Sequence, residues 1–337
     1  MRVCIVGAGA IGGLVGARLA LSGHEVTLVA RGPHLAALQN NGLALELHDG
    51  SRLHATGVRA TSDLLAAGPQ DLVILGVKAN QVDAIVDGLG ALFHDETILV
   101  PMQNGIPWWY FQRHGGPFAG TVVRAVDPSG RIAATIDPAR ILGCVVYPAA
   151  EIASPGVIRL VEGDRFPLGE LDGSESARAR MVAEAFAAAG FKAPVLTDIR
   201  AEIWLKLWGN LVFNPISALT HATLVDICQF GPTRDLARRM MAEAQAVAEQ
   251  LGIRFRVDIE RRIAGAERVG KHKTSMLQDV ETGRDPEIDA LVGSVIEVGR
   301  LVGVATPQIE AVYALVKLLS RTMREERVVV RRAPLAA

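Results

Sequence analysis

A chain of 337 residues, half of them apolar, has material for two hydrophobic cores at the usual ~100–200 residues per domain. Its 35 basic and 36 acidic residues give a net charge of −1 and are spread along the chain, so it lacks the basic face a nucleic-acid or polyanion binder needs. Cys4, Cys144 and Cys228 are its three cysteines; far apart and without metal-ligand spacing, they read as small buried hydrophobes of a reducing compartment. His48 and His54 flank an Asp49-Gly50 turn signal with no third ligand near, so no metal site is expected. The opening "MRVCIVGAGAIGG" has no basic n-region or separate cleavage site, and no apolar run reaches the ~18 residues of a membrane span. The expectation is a soluble, cytoplasmic protein with neither nucleic acid nor membrane as partner.

Taken in chain order, residues 2–6 ("RVCIV") form a β-branched apolar run ending at glycines, as a buried parallel strand does. A helix of small and apolar residues follows at 10–22, then a strand at 25–30, a helix after Pro33 and a hairpin around Asp49-Gly50. Residues 71–78 read as a strand, 79–93 as a helix and 96–104 as a strand. Strands alternating with helices predict a doubly wound α/β sheet of Rossmann type. From about 117 to 172 the pattern is strands alone: "GRIAATI", "RILGCVVYPA", "GVIRLVEG" and "RFPLGEL". A helix at 174–190 and a short strand "APVLTD" close this half. Helical patterns then run over 199–221, 232–252, 256–269, 287–303 and 307–325, with "RVVV" near the end the one further strand candidate. The domains are therefore expected at 1–197, a dinucleotide-binding domain, and 198–337, an all-helical domain carrying the substrate and the catalytic groups. The last helices leave monomer and homodimer both open.

"GAGAIG" (Gly7, Ala8, Gly9, Ala10, Ile11, Gly12) has the G-x-G-x-x-G spacing, and it ends a strand and opens a helix inside a βαβ unit. The first glycine permits the turn, the second lets backbone approach a pyrophosphate, and the third lets helix and strand pack closely; the helix N-terminus offers N–H groups to the phosphates. An NAD site would place an acidic residue at the end of the second strand. Here that end is Ala30-Arg31, whose guanidinium can grip a 2′-phosphate that a carboxylate would repel, so NADP(H) is expected. Two further strand ends, Lys78 and Gln103-Asn104-Gly105, point to the same crevice, since open α/β sheets bind ligands beyond the carboxyl ends of their strands. Lys78 also fits an exposed helix start, and Asn104-Gly105 a plain turn pair.

The stretch "AEIWLKLWGNLVFNPISALTHATL" (201–224) sets Lys206 among Trp204, Leu205, Leu207 and Trp208, with Asn210 and Asn214 following at steps of four. Each such step turns a helix by ~400°, so the three share one slowly drifting face. Six lysines leave 29 of the 35 basic residues as arginine, so a lysine here is not the chain's habitual cation. Arginine keeps its proton; a lysine in a partly closed apolar setting can give its proton to a developing alkoxide. The competing reading is a lysine that snorkels from an amphipathic helix.

"GAGAIG", "GVKANQ", "QNG", "IWLKLWGNLVFNP", "TSMLQD" and "PEID", in this order, resemble the ketopantoate reductases over residues 1 to about 325. The resemblance implies a Rossmann domain followed by a helical one, and NADPH-dependent reduction of 2-dehydropantoate, or a related branched 2-oxo acid, to the (R)-2-hydroxy acid in pantothenate biosynthesis. Carried over by motif, Gly7 to Gly12, Arg31, Lys78 and Asn104 would hold NADP(H), with Ala149 lining its pocket. Lys206 would donate the proton; Asn210, Asn214, Ser275 and Asn104 would bind substrate; Glu287 would meet the cofactor and orient the site, its carboxylate favouring the charged lysine.

Two departures bear on substrate rather than on hydride chemistry. Leu224 stands where the family often has another asparagine, next to Thr223, whose hydroxyl could swing in to compensate. Segment 115–139 is longer than its family counterpart and follows Trp108-Trp109-Tyr110, which could line a more apolar mouth. The rival readings are a β-hydroxyacid dehydrogenase, which would add a glycine-rich substrate loop before the lysine, and a non-catalytic NADP-binding redox sensor, which would have lost the proton donor.

Overall fold

The computed structural model describes residues 1–333. Their contacts form two compact units, one of Met1–Gln103, Trp108–Val122 and Ser129–Ile199, the other of Asn104–Pro107, Val123–Pro128 and the chain from Arg200 onward. Against the boundary expected at residue 197, the chain enters the second unit after Ile199 and also in two earlier excursions.

The first unit begins β1 (Arg2–Val6), α1 (Ala10–Leu21), β2 (Glu25–Val29), α2 (Gly32–Asn41), β3 (Leu43–Glu46), β4 (Arg52–Ala55), β5 (Arg59–Thr61), α3 (Leu64–Ala67), β6 (Leu72–Leu75) and β7 (Ile98–Pro101). After them come α4 (Arg131–Thr135), β8 (Leu142–Cys144), β9 (Ala149–Ser154), β10 (Val157–Glu162), β11 (Leu168–Glu170) and α5 (Ala177–Ala188). The main sheet is parallel, in the order β5-β2-β1-β6-β7. A second sheet runs β4-β3-β10-β9, with β3 and β4 forming the hairpin expected around Asp49-Gly50.

Helix α1 lies between these two sheets, which is why it is small and apolar on every side. A Cβ on Gly16 would stand 2.7 Å from Leu28 of the main sheet, and one on Gly13 2.7 Å from Ile158 of the other. Bulkier residues at 13 and 16 would force the layers apart. Cys4, Cys144 and Cys228 are all buried free thiols, and burial pushes the Cys4 pKa up to about 12.

Four local expectations are corrected. Residues 79–93 form two 3₁₀ turns, Ala79–Gln81 and Val86–Leu92, rather than one helix. Gly88 and Gly90 weaken a helix there, and Leu64 passes over Gly88, its Cδ1 2.9 Å from where a Cβ would be. "GRIAATI" is a helix, α4, not a strand: its buried residues Ile132 and Ile136 are four apart, and Arg131 ties it to Asp83 and Asp87. "APVLTD" contributes only one isolated bridge to β11, Val195 to Leu168, since Pro194 has no N–H to give a ladder. "RVVV" is not a strand. Strand β9 begins where an earlier strand was expected to end; its mostly exposed residues give no apolar alternation to detect.

In the second unit stand α6 (Ile199–Thr220), whose first residue still counts with the first unit, α7 (Leu224–Gln229), α8 (Gly231–Gln250), α9 (Ile259–Val269), α10 (Ser275–Thr282), α11 (Ser294–Val302) and α12 (Pro307–Glu326). The sequence pattern passes over α7 and α10, which are only six and eight residues long. Among the described residues, no helix is long and apolar enough to cross a membrane.

Candidate active site

The glycine loop sits at the carboxyl end of β1, where the strand order turns from β2 to β6. A cavity of about 820 Å³ opens there, lined by Gly7, Ala8, Gly9, Arg31, His34, Asp63, Asn80, Gln81 and Ile152 among others. Gly7 has φ +96°, and a Cβ there would meet Val77 at 2.6 Å. A Cβ on Gly9, at the N-cap of α1, would meet nothing within 4 Å, so backbone is presented openly to the cavity. Gly12 does the packing: a Cβ would strike the Gly7 carbonyl and approach Ile5 Cγ2 to 2.9 Å. One loop therefore divides into turn, open approach and contact, as the motif's physics requires.

Arg31 caps the N-terminus of α2, is exposed and lines the cavity. No ion pair or side-chain hydrogen bond holds it among the described residues. Lys78 is half-buried and N-caps the first 3₁₀ turn, its N–H donating to Gln81 Oε1 at 3.1 Å; Val77, Asn80 and Gln81, not Lys78, line the cavity. Ala149 is also outside the lining. It opens β9, and Ile152, on the same strand, reaches the cavity instead.

His34 is a lining residue the sequence reading missed. Its Nδ1 accepts the Gly156 N–H at 3.0 Å, and burial pushes its pKa down, so the imidazole braces the wall uncharged. Its spacing three residues after Arg31, on the first turn of α2, is the signal that would have found it. Gln103 is a second such brace: its Nε2 donates to the carbonyls of Leu75 and Val77, both at 2.9 Å, holding the end of β6.

The second unit carries the lysine stripe. Lys206 Nζ donates to Asn104 Oδ1 at 2.5 Å, joining residues 102 apart in sequence. The Asn104 turn is pinned from another side. Ile106 N–H donates to Ala290 O at 3.1 Å, and Gly105, with φ +88°, abuts that same carbonyl so closely that no Cβ fits. Ala290 lies in a π-helical turn, Asp289–Gly293, just after Glu287. Such turns expose carbonyls that a regular helix would occupy, and Ser294 Oγ bonds to this one as well, at 2.6 Å.

Asn210 is half-buried and Asn214 buried, its Nδ2 donating to Ser275 Oγ at 3.4 Å. Ser275 is exposed at the start of α10, while Glu287 is half-buried. Lys206 with Asn104, and Asn214 with Ser275, are thus brought together inside one unit. Pro215 removes one internal hydrogen bond from α6 immediately after Asn214.

Two expectations about the substrate side are corrected. Trp108, Trp109, Tyr110 and Phe111 are 2% exposed or less and belong to the first unit's core, so they line no mouth. Thr223 cannot swing toward a ligand: its Oγ1 donates to Asp226 Oδ2 at 2.6 Å and its N–H to the same oxygen at 2.9 Å, capping α7.

With this geometry in place, residues 3–173 match the family described as ketopantoate reductase PanE/ApbA, and residues 198–320 match that family's C-terminal domain. The chain is 54% identical over 321 residues to a 2-dehydropantoate 2-reductase of Mesorhizobium japonicum, covering 95% of this chain and 98% of that one. Among solved structures, a ketopantoate reductase of Ralstonia solanacearum, so described provisionally, superposes with a TM-score of 0.91 at 44% identity, covering 95% of this chain and 98% of its own. A D-mandelate dehydrogenase solved with NADH and anilino(oxo)acetate shares the fold at a TM-score of 0.82 and 23% identity, over 96% of this chain and 100% of its own.

Proposed function

The chain belongs to the ketopantoate reductase family, and from that premise we propose that it reduces 2-dehydropantoate, or a 2-oxo acid of similar branching, to the (R)-2-hydroxy acid with NADPH. The observation that carries the reading is the Lys206–Asn104 hydrogen bond, which joins the one lysine of α6 to an amide 102 residues away in sequence. The glycine loop Gly7–Gly12 and Arg31 would hold NADPH, which when bound would supply the hydride for C2 of the 2-oxo acid. Lys206 Nζ gives a proton to the carbonyl oxygen as it becomes an alkoxide, so carbon and oxygen each gain one hydrogen and the lysine is left neutral. Asn104 aims the ammonium; Asn210, Asn214 and Ser275 offer uncharged donors to the substrate; the Glu287 carboxylate favours the charged lysine before transfer.

The cavity of the first unit fits a dinucleotide, because Gly9 leaves the backbone of the glycine loop open to a pyrophosphate. Arg31 at its edge favours NADPH over NADH. At least tenfold preference in kcat/KM is expected, ~1.4 kcal/mol for one charge-assisted phosphate contact, and Arg31→Ala should abolish it. Equal use of both cofactors by the wild type would return Arg31 to a solvated loop residue.

NADPH oxidation with a panel of 2-oxo acids tests the activity itself; absence of turnover with every branched 2-oxo acid would overturn it. Within that panel, Leu224 and the committed Thr223 leave a terminal substrate hydroxyl short of partners, at ~1–3 kcal/mol for a buried hydroxyl left unpaired. 2-Dehydropantoate is therefore expected to be turned over without strong preference over 2-oxo-3-methylbutanoate, and Leu224→Asn to raise the preference. A hundredfold preference in the wild type would show that the hydroxyl is bound by another group.

A further inference from the structure

The Asn104 turn docks on a carbonyl that an ordinary helix would not offer. An α-helix would give the Ser294 N–H to Ala290 O, four residues back. Here that N–H goes to Asp289 O, five residues back, in the π-helical turn Asp289–Gly293. Ala290 O takes the Ile106 N–H at 3.1 Å and the Ser294 hydroxyl at 2.6 Å instead. The wide turn is thus what admits Asn104-Gly105-Ile106, and π-turns are rare enough that this one needs a brace.

Tyr313 bridges it from α12. Its Oη donates to Asp289 Oδ1 at 2.6 Å, at the first residue of the turn. Its ring lies against the last residue: a Cβ on Gly293 would stand 3.1 Å from Tyr313 Cε2 and 3.4 Å from Oη. One side chain therefore spans the turn from end to end. Lys317, one helical turn further along α12, donates to both oxygens of the Asp289 carboxylate, at 3.1 and 3.0 Å. Burial and the Asp289 hydrogen bond push the Tyr313 pKa up, which keeps its hydroxyl a donor. From Ala290 the contacts run on through the Asn104 turn to Lys206, whose Nζ donates to Asn104 Oδ1 at 2.5 Å. We propose that Tyr313 is a positioning residue for the proton donor: by bracing the π-turn it holds Ala290 O against the Asn104 turn, and so holds Asn104 on Lys206. The proposal rests on the reading of Lys206 as the group that protonates the 2-oxo acid, and it names what aims that group.

Tyr313→Phe removes the hydroxyl and keeps the ring over Gly293. It is expected to slow single-turnover reduction of saturating 2-oxo-3-methylbutanoate about tenfold, within what a displaced catalytic group loses. NADPH affinity, by fluorescence titration, should not change. A residue that only stabilises its unit would have the same effect in any background, whereas one that acts through Asn104 would not. In Asn104→Ala, the same substitution is therefore expected to change the rate by less than about twofold. Asp289→Asn, which keeps the volume and removes the charge, should follow the same pattern, and it decides the case if Tyr313→Phe does not fold. The full loss repeated in Asn104→Ala would make Tyr313 a stabilising contact, and an undiminished rate with Asn104 present would remove it from catalysis. Both results overturn the proposal and leave the reductase reading standing. A Lys206→Ala enzyme as fast as the wild type would overturn that reading, and the proposal with it.

Discussion

Lys206→Ala is expected to lower kcat by roughly two to four orders of magnitude, the range for loss of a positioned general acid, with NADPH affinity nearly unchanged. The affinity should hold because the lysine belongs to the second unit, whereas the cavity that fits the dinucleotide is lined wholly by the first. The rate should fall because the amides that follow on the stripe, Asn210 and Asn214, cannot act as acids near neutral pH, and a carboxylate such as Glu202 one turn before has already lost its proton there. Asn104→Ala should give a smaller loss, since it removes the partner at 2.5 Å that aims Nζ but leaves the ammonium itself. Single-turnover reduction followed by NADPH absorbance separates chemistry from product release. A Lys206→Ala variant keeping about a third of wild-type kcat, well outside the range for a lost general acid, would make the lysine a snorkelling helix residue.

Glu170→Ala should cost the first unit on the order of 3 kcal/mol, because it strands a partly buried cation. Glu170 is 4% exposed at the end of β11. It accepts hydrogen bonds from Arg178 Nε at 2.7 Å, from Arg178 Nη2 at 2.5 Å and from Ser176 Oγ at 2.6 Å. Arg178 also donates to the carbonyls of Ala139 and Ile141, so the pair ties α5 to the chain entering β8. Glu170→Ala with Arg178→Met should be less destabilised than Glu170→Ala alone, since the second change removes the stranded charge.

The pH dependence has a definite sign. Burial raises the Glu170 pKa, but the hydrogen bonds from Arg178 and Ser176 outweigh it and leave the carboxyl below its ordinary value. A depressed carboxylate pKa gives stability that is fully present above the unfolded value of ~4.3 and is lost as pH falls through the folded value. Native-state hydrogen exchange at β8 and β11 reads the effect where it acts. Unchanged exchange in Glu170→Ala at neutral pH would mean that the pair contributes nothing net.

The parts of this protein that local physics decides are legible in its sequence. Short β-branched apolar runs mark β1, β2, β6 and β7, with glycine directly after β1 and β6, because strand length, alternation with helices and the φ freedom of Gly7 act over a few residues. Helix α6 and its polar stripe are legible in the same way, from a four-residue period that needs no partner to be seen. Tertiary structure alone decided which of those residues meet. Asn104 and Lys206 are 102 residues apart, and the Arg262 guanidinium packs over Gly209 from another helix. Trp108 to Phe111 are core rather than rim, and the Thr223 hydroxyl is spent on its own helix cap. Residues 79–93 carry an apolar pattern that fits a helix until Leu64 is packed over Gly88. In each case the deciding term is a steric or hydrogen-bond contact with a segment distant in sequence. Propensity and period contain no information about such a contact until the chain has closed around it.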